Sequence, residues 1–148
     1  MNILKIKAKG IGPFKNEIVF SPGELPNKVA ITGRNGRGKT FLLELAVGAL
    51  YAYFPFRMYQ SKRGIYDLVA KNDESYIEMV FEFAGKTYRA NRNFILKGEW
   101  EGNEFREKSK SHMAGIYELD KTTGEWVPQA TGADATTDWV ERNIISRS

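Results

Sequence analysis

The chain has 148 residues, 42% hydrophobic and 27% charged, enough for one globular domain with its own core. It has no cysteine, which excludes disulfides and thiolate-bound metal, and no run near the roughly 20 apolar residues of a membrane span, so a cytoplasmic address and no membrane partner are expected. The net charge of +4 is uneven: residues 1–63 carry 11 Lys/Arg against 3 Asp/Glu and residues 64–148 carry 11 against 15, a basic front that suits anionic partners such as nucleotide and nucleic acid.

Asn2 to Ala8 alternates, with Ile3, Lys5 and Lys7 on one face and Leu4, Ile6 and Ala8 on the other, which reads as a strand and not as a signal peptide. Lys9-Gly10-Ile11-Gly12-Pro13-Phe14 is a turn, because two glycines and a proline do not continue a strand. Glu17 to Phe20 resumes as a second strand, ended by Ser21-Pro22-Gly23. Val29 to Thr32 is a third, short and apolar.

Directly after it, Gly33-Arg34-Asn35-Gly36-Arg37-Gly38-Lys39-Thr40 fits G-x-x-x-x-G-K-[ST], the phosphate-binding loop. Its glycines let the backbone turn tightly and aim N–H groups at a phosphate. Asn35, Gly36, Arg37, Gly38 and Phe41 are expected to bind the nucleotide with Lys39, which would reach its β- and γ-phosphates. The Thr40 hydroxyl would complete a Mg²⁺ shell, so ATP and Mg are the expected cofactors. Thr40 to Leu50 is apolar nearly all round and predicts a buried helix whose positive dipole end faces the phosphates. The Arg34 and Arg37 side chains suit solvent as well as they suit a partner surface.

Phe54 to Tyr66 mixes aromatics with Arg57, Lys62 and Arg63 and has no clean period, so it reads as a loop or short helix. Ser75 to Phe83 is a strong strand, with Ile77, Met79, Phe81 and Phe83 on one face. It turns at Ala84-Gly85-Lys86 and returns over Thr87 to Phe94. Lys86, Arg89 and Arg92 there read as the solvated face of a hairpin, or as a DNA-facing patch. Gly98 to Ser111 is polar and weakly patterned, expected as a mobile excursion. Met113 to Leu119 and Glu125 to Val127 form a second hairpin, and Thr136-Thr137-Asp138 offers a cap for a last helix carrying Trp139, Val140, Ile144 and Ile145. His112, the only histidine, leaves no His-based metal or catalytic cluster. Trp100, Trp126 and Trp139 read as packing residues.

The opening strand, Gly12-Pro13-Phe14, the second strand and Ile31 to Thr40 together resemble the ATPase head of SMC-type proteins, closest to the SbcC-type double-strand-break-repair ATPases. Arg63 to Val69, Gly85 to Arg89 and Tyr117 to Val127 extend the similarity over nearly the whole chain. The resemblance implies an α/β fold of P-loop NTPase, ABC/SMC-head type, in which a mixed sheet wraps the phosphate-loop helix and an antiparallel sheet is added. It implies one N-terminal ATPase domain over residues 1–148, a fragment of a longer chain split by a coiled coil. Its partners would be the C-terminal half of the ATPase, a second head, a metallo-nuclease subunit and DNA. The family's basic residue in the first turn has no match at Gly12 or Pro13, and Lys15 is the nearest candidate.

No apolar strand ends in Asp-Glu as a Walker B strand does, and no Leu-Ser-Gly-Gly signature or heptad coiled coil is present. No catalytic residue is therefore expected in this segment, and hydrolysis would need the C-terminal half. A self-contained small P-loop kinase is the alternative; the strand-rich second half lacks its lid helix. A GTPase is disfavoured because no Asn-Lys-x-Asp follows the loop, and intact Lys39-Thr40 argues against a decayed, nucleotide-independent scaffold.

Overall fold

Alternating apolar residues build the sheet. In the computed structural model, residues 1–21, 36–52 and 64–145 are described. β1 (Asn2–Lys9), β2 (Ile18–Phe20), β3 (Glu74–Phe83), β4 (Lys86–Glu101), β5 (Glu104–Leu119) and β6 (Trp126–Thr131) form one sheet in the order β2-β1-β3-β4-β5-β6. All its neighbouring strands are antiparallel. Among the described residues this single antiparallel sheet stands where a mixed sheet plus a separate antiparallel one was expected. The strand expected at Val29 to Thr32 lies outside the described residues.

One face of the sheet carries the core. Ile6, Ala8, Ile77, Met79, Phe81, Ala90, Phe94, Leu96 and Ile116 are buried on it. α1 (Gly36–Tyr51) packs there against β1, β3 and β4, contributing buried Leu45, Ala49 and Leu50, and also meets α2 (Ala133–Val140). A bulge between Ile3 and Lys5 shifts the β1 register, so Ile3 pairs with Phe81 and packs on the core. The face expected for Ile3 from strict alternation is corrected by that one extra residue.

The stretch Gly98 to Ser111 is also corrected. It is not an excursion but the distal half of the β4–β5 hairpin, paired from Gly98↔Glu107 to Glu101↔Glu104. Trp100 and Phe105 pack edge to face at 5.3 Å, with Lys71 Nζ over both rings. Arg106–Glu101 and Lys108–Glu99 ion pairs bridge the two strands. Cross-strand pairs of this kind hold a polar ladder without apolar alternation.

The last helix begins earlier than its expected cap. α2 starts after Gly132, so Thr136 and Thr137 lie inside it, and a π-helical turn at Glu141–Ile145 continues it. Gly132 at φ 101 and its N–H bond to Ala114 O turn the chain from β6 into α2. Within Phe54 to Tyr66, residues 54–63 lie outside the described residues, and a 3-10 turn covers Gly64–Asp67.

Candidate functional site

α1 begins at Gly36, so Gly36, Arg37, Gly38, Lys39, Thr40 and Phe41 all lie in its opening turns. The first turns of a helix leave backbone N–H groups without intrahelical partners and carry the positive end of the dipole. No acidic residue occupies that turn to compete for them. The backbone donors and the sign of the dipole therefore fit an anion such as the phosphates of a nucleotide. Gly33, Arg34 and Asn35 lie outside the described residues, as does Arg63.

At 16 residues α1 is about 24 Å long, and its far end matters as much as its start. The last turn carries no Lys or Arg to offset the negative dipole end. That role falls to Arg92 of β4, which is completely buried. Its Nε donates to Ala49 O at 2.9 Å and one Nη donates to Leu50 O at 2.6 Å. The same Nη donates to Thr137 Oγ1 at 2.9 Å, and the other lies 3.5 Å from Ala133 O. Burial lowers the guanidinium to about 10, so it stays protonated at neutral pH.

Arg92 thus leaves the expected DNA-facing patch. Arg89 points to the opposite face of the sheet, where its guanidinium lies over Tyr117 at 4.8 Å and Trp126 at 4.9 Å and pairs with Glu78. Lys86 pairs with Glu118 at 3.2 Å. The three cations do not share one surface. A signal for Arg92 was present in the sequence: Tyr88, Ala90, Phe94 and Leu96 surround it at strand period, and a cation in that row must find buried acceptors.

The Gly10–Phe14 turn is anchored beneath the sheet. Gly10 N donates to Phe14 O, Gly12 N to Leu68 O, and the buried Ser75 hydroxyl donates to Gly10 O. Gly10 adopts φ 68, and a Cβ there would fall 2.7 Å from Ser75 Oγ, so this position requires glycine. Lys15 lines an open groove of about 580 Å³ with Gly12, Lys71 and Trp100. Trp100 is 56% exposed there, unlike Trp139, which packs on Tyr88 at 5.3 Å. Among the described residues no group of three or more His, Asp or Glu could hold a metal, and no helix is long and apolar enough to cross a membrane.

A family model described as an AAA domain matches residues 5–144. The chain belongs to the AAA domain family. It is a P-loop ATPase-type domain, and nucleotide binding is the function that membership carries. No curated protein matches the chain.

Proposed function

We propose that this AAA domain is the ATP-binding N-terminal segment of an SMC-like, SbcC-type DNA-repair ATPase. The observation that carries the nucleotide reading is that the G-x-x-x-x-G-K-T motif runs into an acid-free helix start within a matched P-loop ATPase family. Lys39 would neutralise the β- and γ-phosphates, backbone N–H groups of the motif that includes Asn35, Gly36, Arg37, Gly38 and Phe41 would cradle them, and Thr40 would hold Mg²⁺. The cation, when bound, would supply charge screening on the phosphates. The narrower SMC-like reading rests on the resemblance of the opening turn, the two strands before the loop and the later hairpins. In that reading nucleotide draws two heads together, the C-terminal half supplies the Walker B and signature residues, and a metallo-nuclease and DNA complete the assembly.

Calorimetry with Mg-ATP and Mg-GTP on the wild type and Lys39→Ala, alongside phosphate release, tests this. Loss of one charge-assisted contact of about 1.5–3 kcal/mol predicts roughly 10- to 150-fold weaker ATP binding in the variant. No turnover is expected from this chain alone. Sustained turnover without the C-terminal half would replace the SMC-like reading with a self-contained P-loop enzyme such as a small kinase.

A further inference from the structure

The bonds of Arg92 join two helices that the sheet alone does not hold together. Two of them end on the last carbonyls of α1, and two reach the first turn of α2 through Thr137 Oγ1 and Ala133 O. Thr137 Oγ1 in turn donates to Ala133 O at 3.1 Å, which fixes the hydroxyl as an acceptor for the guanidinium. Among the described residues Arg92 makes no ion pair with a carboxylate. Its charge is met by carbonyl dipoles at the negative end of α1, by the Thr137 hydroxyl and, at 3.5 and 3.4 Å, by Ala133 O and the His112 Nε2.

A buried cation is costly, and a hydrophobic residue would fill this position at the centre of an apolar row. What only a planar fork of donors provides is simultaneous bonding to two separate elements. A helix is stiff along its axis, so fixing the C-terminal end of α1 fixes the height of its N-terminal turn above the sheet. A shift of α1 by one ångström would break bonds of 2.6 to 2.9 Å at Leu50 and Ala49. The same shift would pull on the first turn of α2 and on the π-helical turn at Glu141–Ile145 that follows it. π turns recur at functional sites, and this one directly continues the helix that Arg92 holds.

We propose that Arg92 is a positioning residue for the nucleotide site: it holds α1 from its far end, and through Thr137 it makes phosphate-loop occupancy and the seating of α2 favour one another. The proposal rests on the nucleotide-binding reading above. Coupling of this kind is reciprocal, so the factor by which nucleotide seats α2 equals the factor by which seated α2 tightens nucleotide.

The test combines hydrogen exchange over residues 133–145 with Mg-ATP calorimetry on the full chain, for the wild type, Thr137→Val and Arg92→Lys. Thr137→Val keeps the side-chain shape and both Arg92 bonds to α1 while removing the 2.9 Å bond to α2 and leaving only the 3.5 Å contact with Ala133 O. In the wild type Mg-ATP should slow α2 exchange by about fivefold or more, the lower end of usual coupling. In Thr137→Val that slowing should fall well below the wild-type value and the Mg-ATP Kd should rise by the same factor. The melting temperature drops as well, because a buried Arg92 donor loses its acceptor, so exchange is compared with and without Mg-ATP within each protein. Arg92→Lys keeps the charge but not the fork, and should lose both effects together. Mg-ATP binding to the wild type without slowing α2, or slowing it equally in Thr137→Val, would overturn the joint while leaving the nucleotide reading intact. Absence of Mg-ATP binding by the wild type would overturn both. Thr137→Val decides the matter even if Arg92→Lys fails to fold.

Discussion

His112 gives the fold an acid sensitivity that can be measured. Its ring lies 4.5 Å from that of Phe94, tilted by 31°, and its Nε2 sits 3.4 Å from an Arg92 Nη. Burial, and then the Arg92 charge, push the imidazole from 6.5 down to about 4, while Asp134 acts in the opposite sense. The folded chain therefore keeps His112 neutral at acidities where the unfolded chain protonates it. Between those two values the unfolded state binds more protons, so stability rises with pH there. The contribution is whole above about pH 6.5 and is lost as the pH falls towards about 4. At about 1.36 kcal/mol per pH unit the upper bound is roughly 3 kcal/mol, and solvent reaching a half-buried ring reduces it to about 1–2 kcal/mol. Urea unfolding near pH 7 and near pH 4.5, on the wild type and His112→Gln, isolates this term, because carboxylate titrations common to both cancel in the difference. The wild type should lose about 1–2 kcal/mol more than the variant across that interval. Equal losses, or a folded-state His112 titration at or above its ordinary value, would refute the reasoning.

Three further outcomes follow from packing. Arg92→Met leaves Ala49 O and Leu50 O without their donor at about 1–3 kcal/mol each, offset in part by the relieved burial of a cation. A net loss of about 2–4 kcal/mol in denaturant unfolding is expected, and an unchanged midpoint would contradict it. Gly98→Ala places a Cβ 2.0 Å from Arg106 O at the bulge between Lys97 and Gly98. The distal hairpin should loosen by about 1–3 kcal/mol, read as faster amide exchange over residues 98–107. Ala84 holds φ 52 in the two-residue turn with Gly85, a strained setting for alanine. Ala84→Asn should raise stability by about 0.5–1 kcal/mol, seen as a higher thermal midpoint.

The strands were legible wherever apolar and polar residues alternate. Ser75 to Phe83 reads correctly because Ile77, Met79 and Phe81 face a core and their neighbours do not. Residues 98–111 escaped because that ladder rests on ion pairs and one aromatic contact, which leave no periodic trace. The start of α2 was missed for a related reason. Gly132 sets it through backbone conformation and a bond to Ala114 O, while Thr136 and Thr137 carry the composition of a cap but serve inside the helix. Gly36 to Thr40 stand out from spacing alone, because phosphate chemistry fixes both residue type and interval, and the structure places them in the opening turns of α1. Arg92 could not be placed by proximity in sequence: its acceptors lie 41 to 45 residues away, and only its position in an apolar row hinted at them.

The strand order also bears on how the chain assembles. From β3 to β6 each strand pairs with the next one in sequence, so this meander can zip up from local turns. β1 joins it only at β3, with Lys9 opposite Tyr76 and Asn2 opposite Glu82, across a wide loop that contains α1. Closing such a loop is slow relative to hairpin formation. The meander is therefore expected to form first, with α1 and β1 docking onto it late in folding. In that order Arg92 would stand on β4 before α1 arrives, and its desolvation would come with the docking of α1. Substitutions at Ala49 or Leu50 should accordingly speed unfolding far more than they slow folding.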